Sequence, residues 1–142
     1  MVCWLIGMIH YNIHFAPYNW DVEIYVILND CHIHHIINSL NECPDSEIQK
    51  AFLNLTTRVN SGFIKTFDKR SVIVINKPIT LEEFINIYNH EKNHLEMHIC
   101  DEYGIDPYSE EAAVLSGKLA KCLFQSLVDQ LLIYYTDSHK LD

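Results

Sequence analysis

Basic residues are scarce in this chain: ten Lys and Arg stand against nineteen Asp and Glu, for a net charge of −9 and a pI of about 5.3. Phosphate-rich and anionic surfaces repel such a charge, so neither nucleic acid nor an anionic membrane is expected as the main partner. Paired cysteine spacing is also missing. Cys3, Cys31, Cys43, Cys100 and Cys122 form no CxxC and are odd in number, as expected of reduced thiols in a cytoplasmic protein and not of a disulfide scaffold. No apolar run is long enough to span a bilayer. The opening MVCWLIGMI is short and has no basic stretch before it, which makes it a buried strand or terminal segment. Repeats, linkers and low-complexity tracts are absent too. A chain of 142 residues with 49% hydrophobic content is therefore expected to form a single domain, residues 1–142, around one core.

What the chain does have is His90-Glu91-Lys92-Asn93-His94, an HExxH arrangement within TLEEFINIYNHEKNHLEMHIC. On a helix, residues advance by about 100° each, so two histidines four apart project side by side and offer two ring nitrogens to one metal. Thr80 followed by Glu83 is a capping-box pattern, and Pro78 stops the preceding strand, so a helix is predicted from about residue 81. Its apolar stripe comprises Leu81, Phe84, Ile85, Tyr88, Leu95 and Ile99, with Glu82, Asn86, Asn89, Asn93 and Glu96 roughly opposite. His90 and His94 fall on a flank of the stripe beside Ile87, and Glu91 lies between them and the stripe. An uncompensated carboxylate there is costly, and a divalent cation held by the histidines removes the cost. The competing reading is that the histidines border a core and Glu91 pairs with a Lys or Arg.

A catalytic zinc usually has three protein ligands and a water, so a third donor is sought. Pro107 and Ser109 mark a second helix start, with Glu110 and Glu111 in its first turn, where the helix dipole favours acid. Ala112, Leu115, Leu119, Leu123, Leu127, Leu131 and Tyr134 recur at helical spacing and predict a long buried helix. Gly104 and Pro107 break the chain between the two helices, so an antiparallel return is expected to bring the acidic start of the second near the histidines. His98 competes with Glu110 for the role of third ligand. It continues the series from His90 and His94, but an all-helical trio splays by about 12 Å along the axis, which favours Glu110.

His90-Glu91-x-x-His94 followed by a Glu that opens a downstream helix resembles the gluzincin class of zinc metallopeptidases, in a minimal form similar to the ImmA/IrrE-type and related small zincins. The resemblance covers about residues 72–125 and rests on few positions. In such families the downstream Glu is commonly followed three residues later by Ala; Glu110 with Ala113 fits, and Glu111 fits less well. Val114 stands where these families often carry an Asp or Asn that hydrogen-bonds a ligand histidine. SEEAAVLSGKL after an HExxH helix is also similar to small proteins of bacterial mobile elements and prophages. The resemblance implies a Zn2+ cofactor, His90, His94 and Glu110 as ligands, and a protein or peptide substrate. Metal-activated water would attack the peptide carbonyl with Glu91 as general base. His98, Tyr103, Tyr108 and Glu111 are the candidate outer partners or oxyanion donors. The alternative is a non-catalytic structural or interaction protein, for example of a phage-like particle, that keeps the fold with or without metal. Other divalent ions remain open, and so does the oligomeric state.

Elsewhere, Ile9 to Phe15 and Val22 to Leu28 flank the turn-prone Ala16-Pro17-Tyr18-Asn19 and predict a hairpin. Helices are expected over about 31–41 and from Pro44 toward Gly62. Phe63–Phe67 and Ser71–Asn76 flank Asp68-Lys69 as a second hairpin, with Ser71–Asn76 either the peptide-binding edge or, from its run Val72-Ile73-Val74-Ile75, a central strand. His32, His34 and His35 beside Cys31 make a weaker metal pattern, and His10 and His14 sit too far apart on a strand for one ion. The expected class is α+β: a small twisted, mostly antiparallel sheet packed on the HExxH helix and a long C-terminal helix.

Overall fold

The computed structural model describes residues 9–27, 62–76 and 80–124. The expected helices between 31 and 62, the Cys31 to His35 group, the opening segment and the helix beyond 124 lie outside the described residues.

The first predicted hairpin is present. Strands β1 (Ile9–Phe15) and β2 (Trp20–Ile27) pair antiparallel across a 3-10 turn at Ala16–Tyr18, closed by Asn19 in the left-handed region at φ 49°. The second hairpin pairs β3 (Gly62–Phe67) with β4 (Arg70–Asn76), also antiparallel. Its two turn residues, Asp68 and Lys69, both have positive φ, 51° and 59°, the backbone that a two-residue turn needs to follow the twist of its strands.

The hairpins join through β2 and β4, which run parallel, in the order β1-β2-β4-β3. Two of the three ladders are antiparallel, as expected, but the central one is not. Ser71–Asn76 is therefore an inner strand and not the edge. Every residue from Ser71 to Asn76 is buried, which is what an apolar run covered on both faces requires.

One face of the sheet carries Phe15, Trp20, Val22, Ile24, Val26, Ile73 and Ile75, which share a single core with both helices. Helix α1 (Leu81–Tyr103) begins at Thr80, whose hydroxyl accepts from the Glu83 amide at 3.1 Å. It ends at Gly104, which takes the left-handed φ of 66° that other residues adopt at a cost. The Ile105 amide then bonds back to the Cys100 carbonyl at 2.9 Å. Phe84, Tyr88, Leu95 and Ile99 are buried as the stripe predicts, and Ile87 joins them, whereas Ile85 is 37% exposed. Ile85 sits at the margin of the wheel, and the sheet approaches from the side of Ile87.

Helix α2 occupies residues 110–124, and Ser109 caps it by accepting from the Ala112 amide at 3.1 Å. Leu115, Leu119 and Leu123 are buried against α1, each contributing about 1.5–3 kcal/mol by leaving water. Ser116 donates to Glu96 at 2.9 Å and Phe124 packs on Tyr88 at 5.0 Å, which sets the antiparallel register.

Candidate metal centre

His90 and His94 lie near mid-helix on α1, on the flank that looks toward β3. Their Nε2 atoms are 3.3 Å apart, one ring donating N–H to the other. Two nitrogens bound to one tetrahedral zinc at about 2.0–2.1 Å stand about 3.3–3.4 Å apart, so the pair already has the spacing that such an ion needs. The same distance is that of an N–H···N hydrogen bond between the two rings.

Glu91 lies beside them and is only 6% exposed. Burial pushes its carboxyl above the ordinary range, and His90 and His94 pull it partly back. Among the described residues no side chain donates to it. The buried cation next in sequence, Lys92, is committed to Glu96 at 2.6 Å, so the reading in which Glu91 pairs with that lysine does not hold.

The expected third ligand is not brought in. Among the described residues no three His, Cys, Asp or Glu side chains gather into a group that could hold a metal ion. Glu110 fails for a reason of register. Glu96 meets Ser116, so Glu110, six residues earlier on the antiparallel helix, lies beside the last turn of α1, roughly 12 Å along the axis from His94. It is also on the wrong side. The groove between the helices is lined by Asn93, Glu96, Met97 and Cys100, about a third of a turn around α1 from His94. The fold-back was legible, but its hand around α1 was not.

Of the other candidates, Glu111 and Tyr103 are engaged elsewhere. Glu111 is exposed and faces Tyr18 and Cys100, whose pKa values are raised by burial first and to a lesser degree by its charge. Tyr103 donates to the Tyr18 carbonyl at 2.6 Å and takes Lys69 over its ring at 5.1 Å, so it clasps the hairpin turns to the end of α1. Tyr108 is 96% exposed. His98 stays near the pair, its ring 6.5 Å from that of His94, with Nδ1 bonded to the Thr66 hydroxyl at 2.7 Å. Burial first, and then His94, hold His98 below the ordinary imidazole value, against the pull of Asp101. On β1, His10 stacks on Tyr25 at 4.1 Å and His14 pairs with Asp21 at 2.7 Å, two separate structural uses.

A polar chain that sequence reading missed leads into His98. Trp20 Nε1 donates to Ser71 Oγ at 2.9 Å, Ser71 Oγ lies 2.7 Å from Thr66 Oγ1, and Thr66 Oγ1 meets His98. Half of it was available in advance, because a turn centred on Asp68-Lys69 places Thr66 opposite Ser71.

Comparison with protein-family models, curated proteins and solved structures gives no match. No helix of the described residues is long and apolar enough to cross a membrane.

Proposed function

We propose that His90 and His94 hold a divalent cation, with zinc the ion to test first, and that the chain is a metal-dependent hydrolase of the metallopeptidase kind. The observation that carries this reading is the pair of Nε2 atoms 3.3 Å apart beside a buried carboxylate to which no described side chain donates a hydrogen bond. A zinc ion bound there supplies an activated water and polarises a carbonyl. His90 and His94 contribute their Nε2 lone pairs as neutral rings. Glu91, hydrophobically walled on the stripe side, takes the proton from the water and can return it to a leaving amine. Its raised affinity for protons suits a general base more than that of an exposed Glu.

The test is metal content together with turnover. The wild type should carry one equivalent of zinc after supplementation, His94→Ala should carry almost none, and Glu91→Gln should keep the metal. On a quenched-fluorescent peptide library Glu91→Gln should be slower by at least about a hundredfold, the usual scale for a lost general base. Absence of zinc from the supplemented wild type overturns the reading.

A second reading draws on the lack of a third donor among the described residues: a non-catalytic structural or interaction domain in which the two histidines bind metal weakly or serve only as a hydrogen-bonded pair. Bound zinc with no difference between the wild type and Glu91→Gln on any peptide would select it.

A further inference from the structure

We propose that the chain Trp20, Ser71 and Thr66 locks His98 as a neutral ring with its proton on Nε2, making it a hydrogen-bond donor beside the His90–His94 pair and not a metal ligand. The argument follows the protons. An indole nitrogen can only donate, so the Ser71 oxygen accepts from Trp20 at 2.9 Å. Ser71 is 0% exposed, and its own proton must go to an acceptor; the one in contact is Thr66 Oγ1 at 2.7 Å. Thr66 has then accepted one proton, and His98 Nδ1 at 2.7 Å is the side-chain acceptor beside its own; donation from His98 instead would leave the Thr66 proton with no side-chain partner among the described residues. A ring nitrogen that accepts carries no proton, so the ring's hydrogen is on Nε2. Running the chain the other way leaves the Ser71 hydroxyl hydrogen buried without a side-chain acceptor among the described residues, a loss of about 1–3 kcal/mol.

This assignment answers the contest over the third ligand. A histidine that binds metal through Nε2 needs that nitrogen bare and usually donates from Nδ1 to a fixed acceptor. Here Nδ1 is occupied as an acceptor, the inverse of that arrangement. The N–H that His98 presents is suited instead to an oxygen bearing negative charge, such as a carboxylate or the oxyanion of an attacked carbonyl. Trp20, Ser71 and Thr66 are positioning residues that act through His98. The use made of the donor rests on the hydrolase reading; the tautomer itself does not.

The test is the tautomer measured by two-bond proton–nitrogen NMR correlation on uniformly 15N-labelled full-length chain. In the metal-free protein His98 should show a pyridine-like Nδ1 and a pyrrole-like Nε2. Thr66→Ser, which keeps the hydroxyl, should preserve this pattern, and Thr66→Val, which keeps the shape, should collapse it to an exchanging mixture. Added zinc should move the ring nitrogens of His90 and His94 and leave Nε2 of His98 protonated. A pyrrole-like Nδ1 in the wild type, an unchanged pattern in Thr66→Val, or loss of the His98 Nε2 proton on zinc addition each overturns the proposal. Should zinc move none of the three rings, the hydrolase reading fails while the tautomer assignment is still decided by the metal-free spectra.

Discussion

Glu91 is 6% exposed and accepts no hydrogen bond from a described side chain, so burial opposes its charge in a metal-free fold and removal of that charge should be visible as stability. Replacing Glu91 by the isosteric Gln removes the buried charge while keeping the shape. In the presence of a chelator at neutral pH, Glu91→Gln should melt about 2–4 °C above the wild type, the shift expected for roughly 1 kcal/mol in a domain of this size. Zinc should close or reverse the gap, because the cation stabilises the charged side chain more than the amide. A lower melting temperature for the chelated variant would show that Glu91 is satisfied in the apo fold. The thiols give an independent reading of burial. Cys100 is 4% exposed, and its pKa is raised by burial first and then by Glu96, Asp101, Glu111 and Asp106; that of Cys122 is raised by burial alone. With the reactive thiolate depleted, both should be alkylated by iodoacetamide at pH 8 at least about tenfold more slowly than in urea, read by peptide mass spectrometry. Because each folded value lies above the ordinary thiol range, the native rates should keep rising with pH after the rates in urea have levelled off. Matching pH profiles in native and unfolded protein would contradict this.

At the scale of elements, the local signals were readable and the relative placements were not. Thr80, Gly104 and Ser109 act where their side chains or backbone freedom predict, since capping depends on residues within one turn of each other. The two hairpins follow from turn residues between β-rich runs for the same reason. The side of α1 on which α2 packs depends instead on how a short connection leaves Gly104, and that choice separates Glu110 from the histidines. The approach of α1 to β3 is set by Gly62. A Cβ built there would lie 2.6 Å from the Val74 carbonyl oxygen and 2.9 Å from Ile87 Cγ2, contacts that neither group can relieve without moving the helix or the ladder. Gly62→Ala should therefore cost about 1–3 kcal/mol, the range for overpacking, seen as a lower urea midpoint. It should also weaken zinc binding, because Ile87 is one turn before His90 and Glu91 on the same flank. Gly117→Ala, where a Cβ meets nothing within 4 Å, is the matched control and should be neutral or stabilising by up to about 1 kcal/mol. Equal midpoints for the two variants would show that α1 is not held this close to β3.

For the whole molecule the decisive contact is the parallel pairing of β2 with β4, which ties two sequence-local hairpins into one sheet. Nothing in either hairpin alone announces it. The run from Val72 to Ile75 allowed a central strand as well as an edge, and β2 shares the character, with Val22 to Ile27 all buried. Both strands are thus covered on two faces and flanked on both sides, whereas β1 and β3 stand at the ends of the order and alternate with half-exposed or exposed residues. Amide exchange follows the free energy needed to open each unit, and the strands that cannot open without dismantling both hairpins should open last. Native-state hydrogen exchange should accordingly find the slowest amides at Ile24, Val26, Ile73 and Ile75, with exchange at Tyr11 and Ile64 at least about tenfold faster, the ratio that 1.4 kcal/mol of local stability produces. The buried middle of α1, around Leu95, should exchange with the slow group, since it closes the same core, and the His90–His94 turn should join that group when zinc is added. If β1 or β3 proved as slow as β2 and β4, the sheet would open as one unit. The parallel pair would then be no more than a neighbour of the hairpins, and not the frame on which β3 and α1 set the two histidines.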